Sequence, residues 1–95
     1  DVPQNYRTAV KWYRLAAEQG YISAQYLLGI MYEEGKGVPR DNVYAHMWYN
    51  VCASQGSGYA AHNREVIQRK MTPSEIQRAQ DLASECMEKK FKECD

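Results

Sequence analysis

Three cysteines and two histidines are the side chains of this 95-residue chain with the most chemical potential. His46 and His62 stand alone, with no H-x-x-x-H pair and no Cys/His cluster, so nothing in their spacing asks for a metal or another cofactor. No serine sits in a G-x-S-x-G turn or is followed three places later by lysine, which removes the common serine nucleophile motifs. Gly35-Lys36-Gly37 is too short to cradle a phosphate and reads as helix punctuation, and Glu33-Glu34 read as solvated helix-end charges. Cys52 reads as a small buried apolar residue. Cys86 and Cys94 allow two outcomes. Continuous helix would hold them about 12 Å apart at about 1.5 Å per residue, beyond the roughly 7 Å that a bridge tolerates. They are therefore either free thiols or partners across a chain that leaves the helix and turns back, with Phe91 packing on the last helix to drive the return.

The elements that position these residues repeat. Trp12-Tyr13 recurs as Trp48-Tyr49 at an offset of 36, and Val2, Pro3, Ala9, Ala17, Gln19, Gly20 and Ala24 recur at the same offset. Such a period marks a stack of supersecondary units, none of which can bury its apolar face alone. The helical signals are consistent throughout. Val2-Pro3 favours an extended entry, Asn5 caps a first helix that runs to Gln19, and Gly20 stops it. A second helix spans about 23–34, and a third runs from its Asp41 cap to Gln55 and stops at Gly56. The fourth runs to about Lys70. Thr72-Pro73-Ser74-Glu75 then forms a capping box with proline at N1, opening a fifth helix to about Lys89. No useful stretch alternates with period two, so no sheet is expected.

On the first helix Tyr6, Ala9, Val10, Tyr13, Ala16 and Ala17 share a packed face, with Trp12 beside them. Gly29, inside an otherwise apolar second helix, points to close approach of a neighbouring backbone. In the fourth helix Asn63-Arg64-Glu65 replaces Leu27-Leu28-Gly29, leaving Ala60, Ala61, Val66 and Ile67 as its core. Residues 2–37 read as one unit, 38–71 as a diverged last unit and 73–90 as a C-terminal capping helix, since terminal repeats need a more polar outer face. The opening Asp1-Val2-Pro3-Gln4 matches Gly37-Val38-Pro39-Arg40, which suggests a piece of a longer array. The balanced charge, with 12 basic and 12 acidic side chains, does not carry the footprint of a nucleic-acid binder. No apolar run approaches the roughly 20 residues that cross a bilayer, so no membrane insertion is expected.

The segments Ala9-Val10-Lys11-Trp12-Tyr13-Arg14-Leu15-Ala16-Ala17-Glu18-Gln19-Gly20, Ala24-Gln25-Tyr26-Leu27-Leu28-Gly29-Ile30-Met31-Tyr32 and Gly35-Lys36-Gly37-Val38-Pro39-Arg40-Asp41 closely resemble the Sel-one-like repeat (SLR), a relative of the tetratricopeptide repeat. The resemblance implies an all-α fold, an α/α superhelix of stacked antiparallel helix pairs. It also implies a non-enzymatic adaptor or scaffold role, common in bacterial signalling and envelope proteins and in eukaryotic quality control. A cysteine-rich bacterial branch of this family bridges cysteines at the spacing of Cys86 and Cys94. The resemblance therefore implies that disulfide, and with it a periplasmic or secreted setting, with the cytoplasm as the alternative. Relatives in that branch have been associated with β-lactam binding, which makes a cell-envelope, enzyme-like role the competing reading. The family brings no catalytic residues to carry over.

In tetratricopeptide-like stacks the first helix of each pair lines the concave groove. Here the outward stripe is Arg7, Lys11, Arg14 and Glu18 in the first unit and Val43, Met47, Asn50 and Ser54 in the second. Arg7, Lys11, Arg14, Val43, Met47 and Asn50 are thus the candidate contacts for a protein or peptide partner, gripping carboxylates at one end and seating an apolar side chain near Met47. The alternative is that Val43 and Met47 pack against the fifth helix. Self-association through the apolar face of the first helix is a further expectation.

Overall fold

A computed structural model describes residues 5–95; the expected extended entry at Val2-Pro3 lies outside the described residues. Five helices follow one another: α1 (Tyr6–Glu18), α2 (Ile22–Glu34), α3 (Asn42–Ser54), α4 (Gly58–Gln68) and α5 (Pro73–Glu88), with no strand among the described residues. Their ends are fixed by local chemistry. Asn5 accepts from the Thr8 amide, and Asp41 accepts from the amides of Val43 and Tyr44, so orphan N–H groups of the first turn are satisfied. Thr72 and Glu75 complete both halves of the capping box that opens α5. Helices α1 and α3 stop in the same way. Tyr21 donates to the Ala16 carbonyl and Gly20 to Ala17; at the repeat offset, Ser57 donates to Cys52 and Gly56 to Ala53. These paired bonds are Schellman closures, with Gly20 and Gly56 at positive φ.

The first four helices pack in chain order, and α5 returns to α3. Helix α1 packs on α2 and α2 on α3, and α3 also packs on α4 and α5. The core follows that geometry: α3, surrounded by three helices, buries Val43, Ala45, His46, Met47, Trp48, Tyr49, Val51 and Cys52. Helix α1 buries only Val10 and Ala17. The repeat is thus equal in backbone and unequal in cover. Trp48 is 1% exposed and Trp12, its repeat partner, 62% exposed. Trp12 is exposed because none of the described residues covers α1 as α2 and α5 cover α3.

Two further expectations change. At Gly29 the close neighbour is the Tyr49 ring rather than a backbone: an added Cβ would lie 2.6 Å from Tyr49 Cε1. In α4, Ala60 and Ile67 are buried as expected, but Val66 stands open on the surface. At Gly37 the positive φ of 78° and the adjacent Tyr6 carbonyl together exclude a side chain, which keeps the α2–α3 connection close against α1.

Candidate binding surface

The outward stripe of α1 carries Arg7 and Lys11, both exposed, and then Arg14 and Glu18, both partly covered. Arg14 and Glu18 are covered by the segment that follows α5. That segment leaves the helix by a third Schellman closure, in which Phe91 donates to the Cys86 carbonyl and Lys90 to Met87. Here the left-handed positions belong to Lys90 and Phe91, with φ of 55° and 71°, followed by Glu93 at 50°. The reversal brings the Cα atoms of Cys86 and Cys94 to 5.1 Å, and the two are joined by a disulfide. The Phe91 ring packs against the buried core and faces Gly20 at the α1–α2 turn.

Beyond the bridge, Asp95 reaches the stripe. Its Oδ2 accepts from Arg14 Nε at 2.9 Å and from the Tyr32 hydroxyl at 2.7 Å, and Arg14 Nη2 donates to the same hydroxyl at 3.1 Å. The Asp95 side chain is only 5% exposed in this pair. Burial, and then the bond to Asp95, push the Tyr32 phenol well above its usual range, so it remains a donor. Lys92 Nζ donates to the Glu18 carbonyl at 3.0 Å, complementing the carbonyl end of α1, and the Glu93 amide donates to the Glu18 carboxylate.

The second half of the expected groove does not exist as a surface. Val43 is buried and Met47 is 0% exposed, because α3 is enclosed by its neighbours. Neither side chain can seat a partner's residue. Asn50, partly buried, accepts from Arg64 Nη1 at 2.7 Å, and Ser54 bonds to the Val51 carbonyl and to the Met87 sulfur. The structure leaves Arg7 and Lys11 on the open surface and adds Trp12 and Leu15, which are large, exposed and on the same helix. Their repeat counterparts Trp48 and Val51 are buried.

The other candidate chemistry is spent within the fold. His46 is fully buried with Nε2 2.8 Å from Gln68 Oε1, and burial holds its pKa below the usual histidine range. His62 lies apart on α4, at the rim of a cleft of about 340 Å³ between α2 and α4 that Ile30, Glu33, Glu34, Asn63 and Val66 also line. Glu33 is no idle surface charge: it accepts from the buried Tyr49 hydroxyl at 2.6 Å, while Glu34 pairs with Lys36 at 3.2 Å. Cys52 is buried, its thiol pushed up to about 12 by burial, which leaves it unreactive. Among the described residues no group of three or more His, Cys, Asp or Glu side chains is placed to hold a metal ion, and no helix is long and apolar enough to cross a membrane.

The helix order, the packing and the exposed α1 stripe define an all-α repeat stack. The Sel1 repeat matches residues 1–21 and 22–57, and the chain belongs to that family. The second match runs across α2 and α3, so it covers the same repeat taken from the other helix of the pair. Among solved structures, the chain is similar to c5321, a protective antigen of uropathogenic Escherichia coli strains with an SLR fold, at 34% identity and a TM-score of 0.86; the likeness covers 94% of this chain and 19% of that one. Among curated proteins it is 44% identical over 55 residues to chitin synthase regulatory factor 3 of Schizosaccharomyces pombe, covering 58% of this chain and 6% of the relative. It is 38% identical over 60 residues to chitin synthase regulator SKT5 of Malassezia restricta, covering 63% of this chain and 4% of the relative. The chain thus spans a small fraction of the proteins it matches. These relatives come from fungi and from a bacterium, so the family's bacterial association is not particular to this chain. Family, fold and regulatory relatives together support an interaction or regulatory module.

Proposed function

We propose that this chain is a non-catalytic protein-interaction module, part of a longer Sel1 repeat protein, and that it docks a protein or peptide on the outward face of α1. The observation that carries this reading is the cationic row of α1: Arg7 and Lys11 are exposed and take part in no salt bridge among the described residues, and Arg14, which continues the row, already holds the Asp95 carboxylate. Free cations along one exposed helix face suit an oppositely charged partner surface. The regulatory titles of the fungal relatives support a role exercised through other proteins. The Cys86–Cys94 bridge supports placement in an oxidising compartment. The test is a photo-crosslinking residue in place of Lys11. The reading expects a discrete crosslinked partner that is lost when the crosslinker is moved to the exposed Arg78 of α5. Crosslinks of equal yield and identity from both positions would contradict it, and a crosslink only to a second copy would replace it with self-association.

A further inference from the structure

The segment 89–95 is bound to the face that the preceding proposal assigns to a partner, and its manner of binding is informative. Two donors from different helices, Arg14 on α1 and Tyr32 on α2, converge on a single carboxylate oxygen of Asp95. Each donor has a further contact besides Asp95. Tyr32 is buried and its ring lies 5.4 Å from that of Tyr44, and Arg14 is also bonded to the Tyr32 hydroxyl itself. An aligned guanidinium and phenol on two helices form a carboxylate seat. The guest segment carries backbone strain. Lys90, Phe91 and Glu93 all adopt left-handed backbone conformations, and Lys90, Lys92 and Glu93 are exposed. One turn and two turns before Arg14, Lys11 and Arg7 continue the positive stripe and take part in no salt bridge among the described residues.

We infer that Arg14 and Tyr32 form a carboxylate-binding site for an acidic segment of a protein partner, and that Asp95 occupies it as an internal competitor. The inference rests on the interaction-module reading and adds to it the chemistry of the partner and a means of regulation. An acidic peptide along the stripe would pair with Arg7 and Lys11 and place one carboxylate on Arg14 and Tyr32, displacing Asp95. Charge complementarity favours that occupant, and the chain's own choice of an aspartate shows what the seat accepts. The Cys86–Cys94 bridge ends one residue before Asp95, so the competitor stays close even when displaced. A tethered group of this kind acts at an effective concentration on the order of millimolar.

The experiment titrates the chain and its Asp95→Ala variant with a fluorescein-labelled Asp/Ser decapeptide, read by fluorescence anisotropy. An Asn/Ser decapeptide and a short single-stranded oligonucleotide serve as controls. The expected result is an affinity for the Asp/Ser peptide about tenfold tighter or more in Asp95→Ala, lost when Arg14→Ala is added, with neither control binding comparably. Circular dichroism reports folding. Amide exchange supplies a readout on the unaltered chain, where saturating peptide is expected to raise exchange at residues 92–95. Equal affinities with and without Asp95, peptide binding that survives Arg14→Ala, equal binding of the oligonucleotide, or no binding at all would each overturn the inference. A partner that still crosslinks at position 11 in any of those cases would leave the interaction-module reading standing.

Discussion

Gly29 and His46 show how single residues fix this stack. The Tyr49 ring occupies the space where a side chain at position 29 would begin, and its hydroxyl is tied to Glu33 one turn further along α2. Gly29→Ala is therefore expected to destabilise the chain by about 1–3 kcal/mol, the usual cost of overpacking, despite alanine's better helix propensity; urea unfolding measures it. His46 adds a pH dependence. Its folded pKa lies below the usual value because burial disfavours the imidazolium, so the unfolded state binds the proton more readily. Stability from this site is complete above about pH 6.5 and is lost as pH falls through the folded pKa. The expected result is a decline in the unfolding midpoint from pH 7 to pH 5 that is shallower in His46→Gln. Sequence pattern exposed the isolation of both histidines but not this burial, because His46 is enclosed by α3's neighbours rather than by anything near it in the chain.

At the level of the elements, much was legible. The caps at Asn5, Asp41 and Thr72 and the stops at Gly20 and Gly56 are short-range devices, and each acts as its residue type requires. The Cys86–Cys94 pair allowed for an exit from α5, but its form was not legible, because it uses the same closure without glycine. Lys90 accepts a left-handed conformation that the disulfide and the contacts of 91–95 hold in place. Lys90→Gly is thus expected to stabilise the chain by about 1 kcal/mol, at the low end of the cost of a left-handed residue. Thermal and urea denaturation at fixed redox conditions would show it; a loss of stability would mean that the Lys90 side chain contributes more than its backbone costs.

For the whole molecule, the fold class followed from the 36-residue period and its helical punctuation. The candidate surface followed only in part. A helical stripe is readable from spacing, but its exposure depends on which helices cover it. Val43 and Met47 were placed on the groove by counting along α3, and they are core because three helices surround it. Met47→Asp would accordingly unfold the chain rather than report on binding. The Cys86–Cys94 pair allowed for a return of segment 89–95, but not for where it lands, since that depends on contacts to α1 and α2 more than 60 positions away. Removing the bridge with Cys86→Ser and Cys94→Ser is expected to cost about 2–3 kcal/mol for so short a loop. It should also raise amide exchange at 89–95 while α2 and α3 remain protected.

The central claim is that the α1 face, and not the buried α3 stripe or the α2–α4 cleft, receives a protein partner. The most direct measurement is partner capture by the double variant Arg7→Glu/Lys11→Glu, compared with the unaltered chain and with a His62→Ala/Val66→Ser variant of the cleft. Both variants change exposed positions and are expected to keep the helical spectrum and unfolding midpoint. The account predicts capture lost in the α1 variant and retained in the cleft variant. Capture retained by Arg7→Glu/Lys11→Glu and lost in the cleft variant would contradict it.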